Sequence, residues 1–196
     1  MSILSLISDS DLFALMRERL FTAVIGDILD QLGFLHQFLP ASIHPLHDDM
    51  VVIGRAMPVI EADIRQEVGK PFGLMLEALD DLKPGEVYIA SAASNVRYAM
   101  WGELMSTRAR HLGAAGAVLN GPSRDTRGIL DMKFPVFSTS RYAQDQRARG
   151  EVVDFRVPLI IEDVRVEPGD IVFGDIDGVL VVPRAAEREA PTLALE

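Results

Sequence analysis

Between residues 50 and 138 the chain alternates short apolar runs with segments of helical periodicity, and this alternation constrains the fold more than any other feature. Strand-like runs at 50–53 and 56–60, with Gly54 between them, give way to a helix near 71–79. The turn Lys83, Pro84, Gly85, Glu86 leads into a strand at 87–90. A helix at 102–112, a strand at 117–119, a short helix near 126–132 and a strand at 135–138 follow. Such alternation predicts an α/β architecture with parallel strands.

The flanks are less regular. Leu12, Leu15, Met16, Leu20, Val24, Ile28 and Leu29 recur at helical spacing, so residues 10–32 read as one helix that Gly33 stops. Past the irregular stretch holding His36, His44 and His47, strands are expected at 157–161, 171–173 and 178–182, with a Pro168, Gly169, Asp170 turn. Residues 141–154 are charged and weakly patterned and read as a surface connection or helix. The tail from Pro183 reads as an exposed helix.

A chain of 196 residues, 48% hydrophobic and 24% charged, suits one globular domain spanning 1–196. It has no cysteine, so a thiolate nucleophile or thiolate metal site is excluded and any metal must sit among oxygen or imidazole ligands. A net charge of -10 without a basic cluster argues against nucleic acid as a direct partner. The start MSILSLISDSDLF lacks a basic region and a cleavage site, and no apolar run approaches a membrane span. A cytoplasmic protein without membrane contact is expected.

Chemistry concentrates after the strand at 117–119, where Asn120-Gly121 hands over to a polar loop carrying Arg124 and Asp125. Ligand sites of parallel sheets gather at such carboxyl ends of strands. Arginine offers a planar fork for a carboxylate, and aspartate offers a hard oxygen for magnesium or manganese. A surface ion pair or turn cap is the plainer alternative. Gly102, Glu103, Leu104 and Met105 open a helix whose first amides can receive a carboxylate, while Glu103 can either favour the helix dipole or approach a metal through water. The loop Gly174-Asp-Ile-Asp-Gly178 lacks the remaining ligands of a calcium loop and reads as a β-turn. The histidines lack metal spacing, and Met100, Trp101 and Met105 read as core or interface residues.

The motifs Gly102-Glu-Leu-Met, Asn120-Gly-Pro-Ser-Arg-Asp125 and Phe134-Pro-Val-Phe137 resemble the 4-hydroxy-4-methyl-2-oxoglutarate aldolase family, which also holds the RraA-like regulators of RNase E activity. Ile25-Gly-Asp-Ile-Leu-Asp30, Ile53-Gly-Arg-Ala56, Val166-Glu-Pro-Gly-Asp170 and Gly174-Asp-Ile-Asp-Gly-Val179 extend the resemblance over most of the chain.

The resemblance implies a swivelling β/β/α three-layer fold and a magnesium- or manganese-dependent lyase that releases pyruvate from hydroxy oxo acids or decarboxylates oxaloacetate. Arg124 would hold pyruvate and its enolate, and Asp125 would ligate the metal. Glu103 would stand near metal-bound water, and the Gly102 to Met105 amides would receive the pyruvate carboxylate. Homotrimers or homohexamers are implied as well. Asn120 stands where the family commonly has aspartate, which removes one negative charge near the proposed metal. An acidic residue that a neighbouring subunit's C-terminal region supplies in the aldolases is matched to none of Glu187, Glu189 and Glu196. The competing expectation is a non-catalytic regulator that binds an RNase E-type ribonuclease; retention of Asp125 speaks for the lyase. A methyltransferase is discounted for want of a glycine-rich loop with an acidic ribose ligand.

Overall fold

The computed structural model describes residues 8–66, 69–70, 72–92 and 96–196. In chain order the elements are α1 (Asp9–Arg19), α2 (Thr22–Gln31), β1 (His44–Pro45), β2 (Val52–Asp63), α3 (Gly73–Asp80), β3 (Glu86–Ala92), α4 (Glu103–His111), β4 (Gly116–Ser123), α5 (Thr126–Met132), β5 (Val136–Arg141), β6 (Gly150–Phe155), β7 (Leu159–Ile161), β8 (Val164–Val166), β9 (Ile171–Asp175), β10 (Gly178–Val182) and α6 (Glu189–Ala194). The protein is a mixed α/β fold with a nearly closed, barrel-like sheet. Among the described residues no helix is long and apolar enough to cross a membrane.

The sheet runs β1-β5-β4-β3-β2-β9-β10, with β6 also paired to β2. The alternation read from sequence forms its parallel part, in which β2, β3, β4 and β5 lie side by side with helices as crossovers. The expectation of parallel strands fails outside this block: β9, β6, β10 and β1 all pair antiparallel, because a hairpin or loop rather than a crossover helix delivers them. Closure comes from residues 37–39, which run beside β10 through Leu39 N to Val179 O and Val181 N to Gln37 O, both 2.9 Å, before the chain reaches β1. Predicted runs 50–53 and 56–60 are one strand. Gly54 lies inside it because the Lys83–Glu86 turn packs there: a Cβ at Gly54 would overlap Gly85 O and sit 3.0 Å from Ala115 Cβ. Pro71, in the expected helix before α3, and residues 1–7 lie outside the described residues.

Both faces of the sheet are covered, so β9 and β10 are apolar without alternation. Ile171, Phe173, Leu180 and Val182 pack with Leu12, Met16, Ile25 and Leu29 of α1 and α2. Val172, Val179 and Val181 belong to the larger core beneath α3, α4 and α5. Such two-sided burial explains why these strands read as continuous hydrophobic runs. The tail, expected to be exposed, is instead bound to this face. Ala186 and Ala190 are fully buried, and Glu187 pairs with Arg55, which also binds Asp9 at 2.7 Å.

The single helix expected over 10–32 is two helices. Leu20 and Phe21 are extended, and the second helix begins at Thr22, whose N donates to Asp175 Oδ2 at 2.7 Å and whose hydroxyl donates to Oδ1 at 2.8 Å. Apolar spacing continues across the break because both helices cover the same core, so periodicity alone could not reveal it. Asp175 also accepts from Asp177 N at 3.0 Å, consistent with the expected turn, and thereby serves as a remote cap for α2. Gly33, with φ of 87°, ends that helix as anticipated. Replacing Asp175 by alanine should lower the unfolding free energy by about 2 kcal/mol, since buried donors on Thr22 lose their acceptor. Urea unfolding monitored by circular dichroism would check this, and Thr22→Val should lose less.

Candidate functional site

The carboxyl end of β4 is bordered by residues 100–102, which run beside it as an informal extra strand. Met100 N donates to Pro122 O and Arg124 N to Trp101 O, both at 2.9 Å, and Trp101 bridges Ser123 in parallel. Trp101 is buried with its ring against Tyr88 and Phe134, at centroid distances of 4.8 and 6.4 Å. Its Nε1 donates to Ser106 Oγ at 2.7 Å, and that hydroxyl donates to Gly102 O at 3.0 Å. The aromatic core therefore fixes where α4 begins. Gly102 has an ordinary extended backbone, and its lack of a side chain is a matter of space: a Cβ would stand 2.7 Å from Asp125 Oδ2 and 3.3 Å from Arg124 Cγ.

Asp125 immediately precedes α5 in the left-handed region, with φ of 56°. Aspartate visits this region more readily than most residues. The conformation sets its carboxylate between two donors, Glu103 N to Oδ2 at 3.3 Å and Arg124 Nε to Oδ1 at 3.4 Å. Arg124 Nη1 donates to Asp145 Oδ2 at 2.8 Å. Burial disfavours the Arg124 cation, but Asp125 and Asp145 outweigh it and hold the guanidinium above its usual range. The ion-pair alternative for Arg124 and Asp125 is thus realised, yet the pair stays accessible, with side chains 34% and 37% exposed. Both line a cavity of about 390 Å³, together with Gly102, Leu104, Met105 and Asp145 and with Met75, Leu76 and Leu79 of α3.

Five of the six site residues expected from sequence therefore border one cavity. The sixth, Glu103, lends its amide to Asp125 while its carboxylate lies over Gly128 of α5, where a Cβ would overlap it. Asn120 is held by Ser91, donating through Nδ2 to its hydroxyl at 3.1 Å, and lies outside the cavity wall. An aspartate there could not donate that bond. Glu187, one candidate for the unmatched acidic position, is occupied by Arg55. His36 faces Asp163 at 2.8 Å, and among the described residues no three His, Cys, Asp or Glu side chains are grouped to hold a metal ion. A larger cavity of about 550 Å³, near Arg17, His47 and Lys133, shares no residue with the site.

Sequence reading missed Asp145. Residues 141–154 lack periodicity, yet they hold the Arg124 partner and then form β6, which joins β2 antiparallel. Their charges looked like solvated surface; bonds from Tyr142 N to Ser123 O at 2.9 Å and from Ala99 N to Gln144 O at 2.8 Å, together with the pairing of β6 with β2, bring them to the site.

A family model described as Aldolase/RraA matches residues 22–181. A protein of Halalkalibacterium halodurans, provisionally named 4-hydroxy-4-methyl-2-oxoglutarate aldolase, is 31% identical over 168 residues, covering 85% of this chain and 74% of its own length. Protein DlpA of Legionella pneumophila is 32% identical over 168 residues, 86% of this chain but 27% of DlpA, so the chain spans about a quarter of that relative. Among solved structures, one described under novel cellulases from gut-associated microbes superposes with a TM-score of 0.91 at 30% identity, covering 96% of this chain and 84% of the other. Streptomyces coelicolor RraAS2, described as an unusual member of the RNase ES inhibitor RraA family, superposes at 0.85 with 23% identity, over 96% and 93% of the two chains, and shows the shared fold.

Beside the site lies a buried acid. Glu61, at the far end of β2 and 1% exposed, accepts a 3.0 Å bond from Gln146 Nε2 through Oε2. The Tyr98 hydroxyl stands close enough to favour the charged form of Glu61, although neither it nor Glu61 Oε1 makes a hydrogen bond of good geometry. Burial pushes the Glu61 carboxyl up to about 8, against a smaller lowering influence of Tyr98. Because the folded protein holds this proton more tightly than the unfolded chain, the acid's contribution is complete below about pH 4.5 and is lost as pH rises through about 8. Between those limits the wild type should lose on the order of 4 kcal/mol of stability relative to Glu61→Gln. Urea midpoints measured from pH 4.5 to 8.5 would test this, and parallel curves for the two proteins would refute it.

Proposed function

Because the chain belongs to the RraA-like family of aldolases and RraA proteins, with its family match over residues 22–181, we propose that it is a lyase releasing pyruvate from hydroxy oxo acids. The substrate class is 4-hydroxy-4-methyl-2-oxoglutarate or a related aldol, with oxaloacetate decarboxylation as a second activity. The observation that carries this reading is the convergence of the Arg124 guanidinium, the Asp125 carboxylate and the first turn of α4 on one cavity.

Asp125 and Asp145 are the carboxylates that border the cavity, and Asp145 is taken by Arg124, so among the described residues hard oxygen donors are too few to close a metal site. That donor set fits magnesium or manganese, which keep several waters and bind through one or two carboxylates plus the substrate. A divalent cation held there would supply Lewis-acid polarisation of the oxo group. The remaining work falls to the chain itself. Amides of Leu104 and Met105 in the first turn of α4 have no acceptor within the helix and receive the substrate carboxylate. Arg124 stabilises the negative charge that develops as the bond beyond C3 breaks and its electron pair moves into the pyruvate enolate. In aldol cleavage the C4 hydroxyl gives up its proton and becomes a carbonyl; in decarboxylation carbon dioxide leaves instead. A proton then returns to C3. Glu103 is our candidate for receiving the hydroxyl proton by way of water.

Pyruvate release from oxaloacetate and from 4-hydroxy-4-methyl-2-oxoglutarate should require magnesium or manganese and stop on chelation. Asp125→Asn, which tolerates the left-handed backbone, should lower kcat/KM by roughly 100-fold or more with little change in Tm. Arg124→Lys keeps the charge but loses the fork and should cost about tenfold to 100-fold. Full activity in Asp125→Asn would remove the metal assignment. Inactivity of the wild type on both substrates would favour the regulatory alternative, for which the acidic surface suits a basic partner.

A further inference from the structure

The Arg124 guanidinium depends on Asp145, and Asp145 stands on a segment without regular structure. What fixes that segment is found on both sides of it. Gln144 O accepts from Ala99 N at 2.8 Å, joining the segment to the strand-like residues that lead to Gly102. On the other side Gln146 O accepts from Arg149 N at 2.8 Å and Gly150 N at 3.0 Å, while Asp145 Oδ1 accepts from Arg147 N at 2.7 Å. These bonds fold the segment upon itself. The Gln146 side chain adds a different kind of tie. It is 5% exposed and reaches into the core to donate to Glu61 Oε2 at 3.0 Å. Glu61 belongs to β2, the rigid centre of the sheet, at a bulge in the β2–β6 pairing where the register shifts between Ile60 and Glu61. Bulges of this kind re-aim side chains next to sites.

The chain of contacts is therefore continuous: β2, the Glu61 carboxyl, the Gln146 amide, the adjacent Asp145 carboxylate and the Arg124 guanidinium. A buried carboxyl with one oxygen unpartnered is an expensive way to fill core volume, and a leucine would do so at lower cost. We propose that Glu61 is a positioning residue for Arg124, acting through Gln146 and Asp145 to hold the guanidinium at the cavity. It touches no substrate. The groups that face it are Gln146, Tyr98 and, farther along the sheet, Tyr88, whose hydroxyl is also buried without a partner. The activity arm of the test rests on the lyase reading; the spectroscopic arm does not.

The test compares wild type, Glu61→Leu, Glu61→Gln and Gln146→Leu, each in the full chain. The Arg124 Nε–H resonance, assigned by its disappearance in Arg124→Lys, reports the guanidinium directly, and kcat/KM for oxaloacetate with manganese reports its use. In Glu61→Leu and Gln146→Leu the Nε–H signal should lose its dispersion and exchange protection, and kcat/KM should fall about tenfold, in proteins that circular dichroism shows to be folded although Tm falls with the loss of the Glu61–Gln146 bond. Glu61→Gln keeps an acceptor for Gln146 and should restore both. A role confined to packing would move Tm and leave the Arg124 signal in place. An unchanged signal in folded Glu61→Leu, or in Gln146→Leu should the first variant fail to fold, would overturn the proposal, as would equal loss in Glu61→Gln. A wild type inactive on both oxaloacetate and 4-hydroxy-4-methyl-2-oxoglutarate defeats the lyase reading alone, since the Arg124 signal still decides this one.

Discussion

The register of β2 is the constraint on which the rest of the molecule depends. Its first residues pair with β9, its whole middle with β3, and its last residues with β6, so one strand is shared among three partners. Because side chains alternate faces along a strand, a slip of one residue would exchange its two sides wholesale. Ile53 would leave the α1 and α2 face, Val52 would leave the larger core, and Glu61 would point away from Gln146. Gly54 guards this register, since only glycine admits the Gly85 carbonyl at that place. The turn that starts β3 and the position of the parallel block are set by the same contact.

At the cavity the problem is to keep a cation and an anion adjacent without letting them merely satisfy each other. The Arg124–Asp125 contact is long, at 3.4 Å, whereas the Arg124–Asp145 bond is 2.8 Å. Arg124 is therefore anchored chiefly from the side, and Asp125 is held by the Glu103 amide as well as by the guanidinium. A carboxylate that is not fully committed to its cation keeps oxygen lone pairs for another ligand. The left-handed backbone of Asp125 and the missing side chain at Gly102 are two local costs that make this arrangement possible. Local strain of that kind is tolerated where a site needs it.

The parallel block and its helices were legible because apolar spacing is a local signal, and α5 agrees with its expected residues 126–132. Arg124, Asp125 and the Gly102–Met105 turn were legible through residue chemistry at a strand end. What stayed hidden was non-local. The break before Thr22 is made by Asp175, whose two neighbours in sequence suggested only a turn. Asp145 looked like one more surface charge, and it is the bonding of residues 142–144 to Ser123 and Ala99, distant in sequence, that brings it to Arg124. Glu61 sits in a run whose apolar neighbours suggested an ordinary strand end, and nothing near it in sequence announces a buried acid. The tail read as exposed because it is rich in Ala and Glu, but its Ala186 and Ala190 are buried against the α1 and α2 face and its Glu187 meets Arg55.

The Asp175 cap spans 153 residues, from the second helix to the penultimate strand. Arg55 likewise waits for Glu187, and β2 for β9. During synthesis the first helices and the longest strand therefore leave the ribosome well before the groups that complete them. The early half has to persist with an open sheet edge and an uncapped helix until the last hairpin arrives. Non-local closure of this kind makes folding slow and leaves apolar strand edges exposed meanwhile. Chains that stall before residue 175 would be unfinished at their beginning rather than at their end, and quality control would meet them as sticky N-terminal fragments.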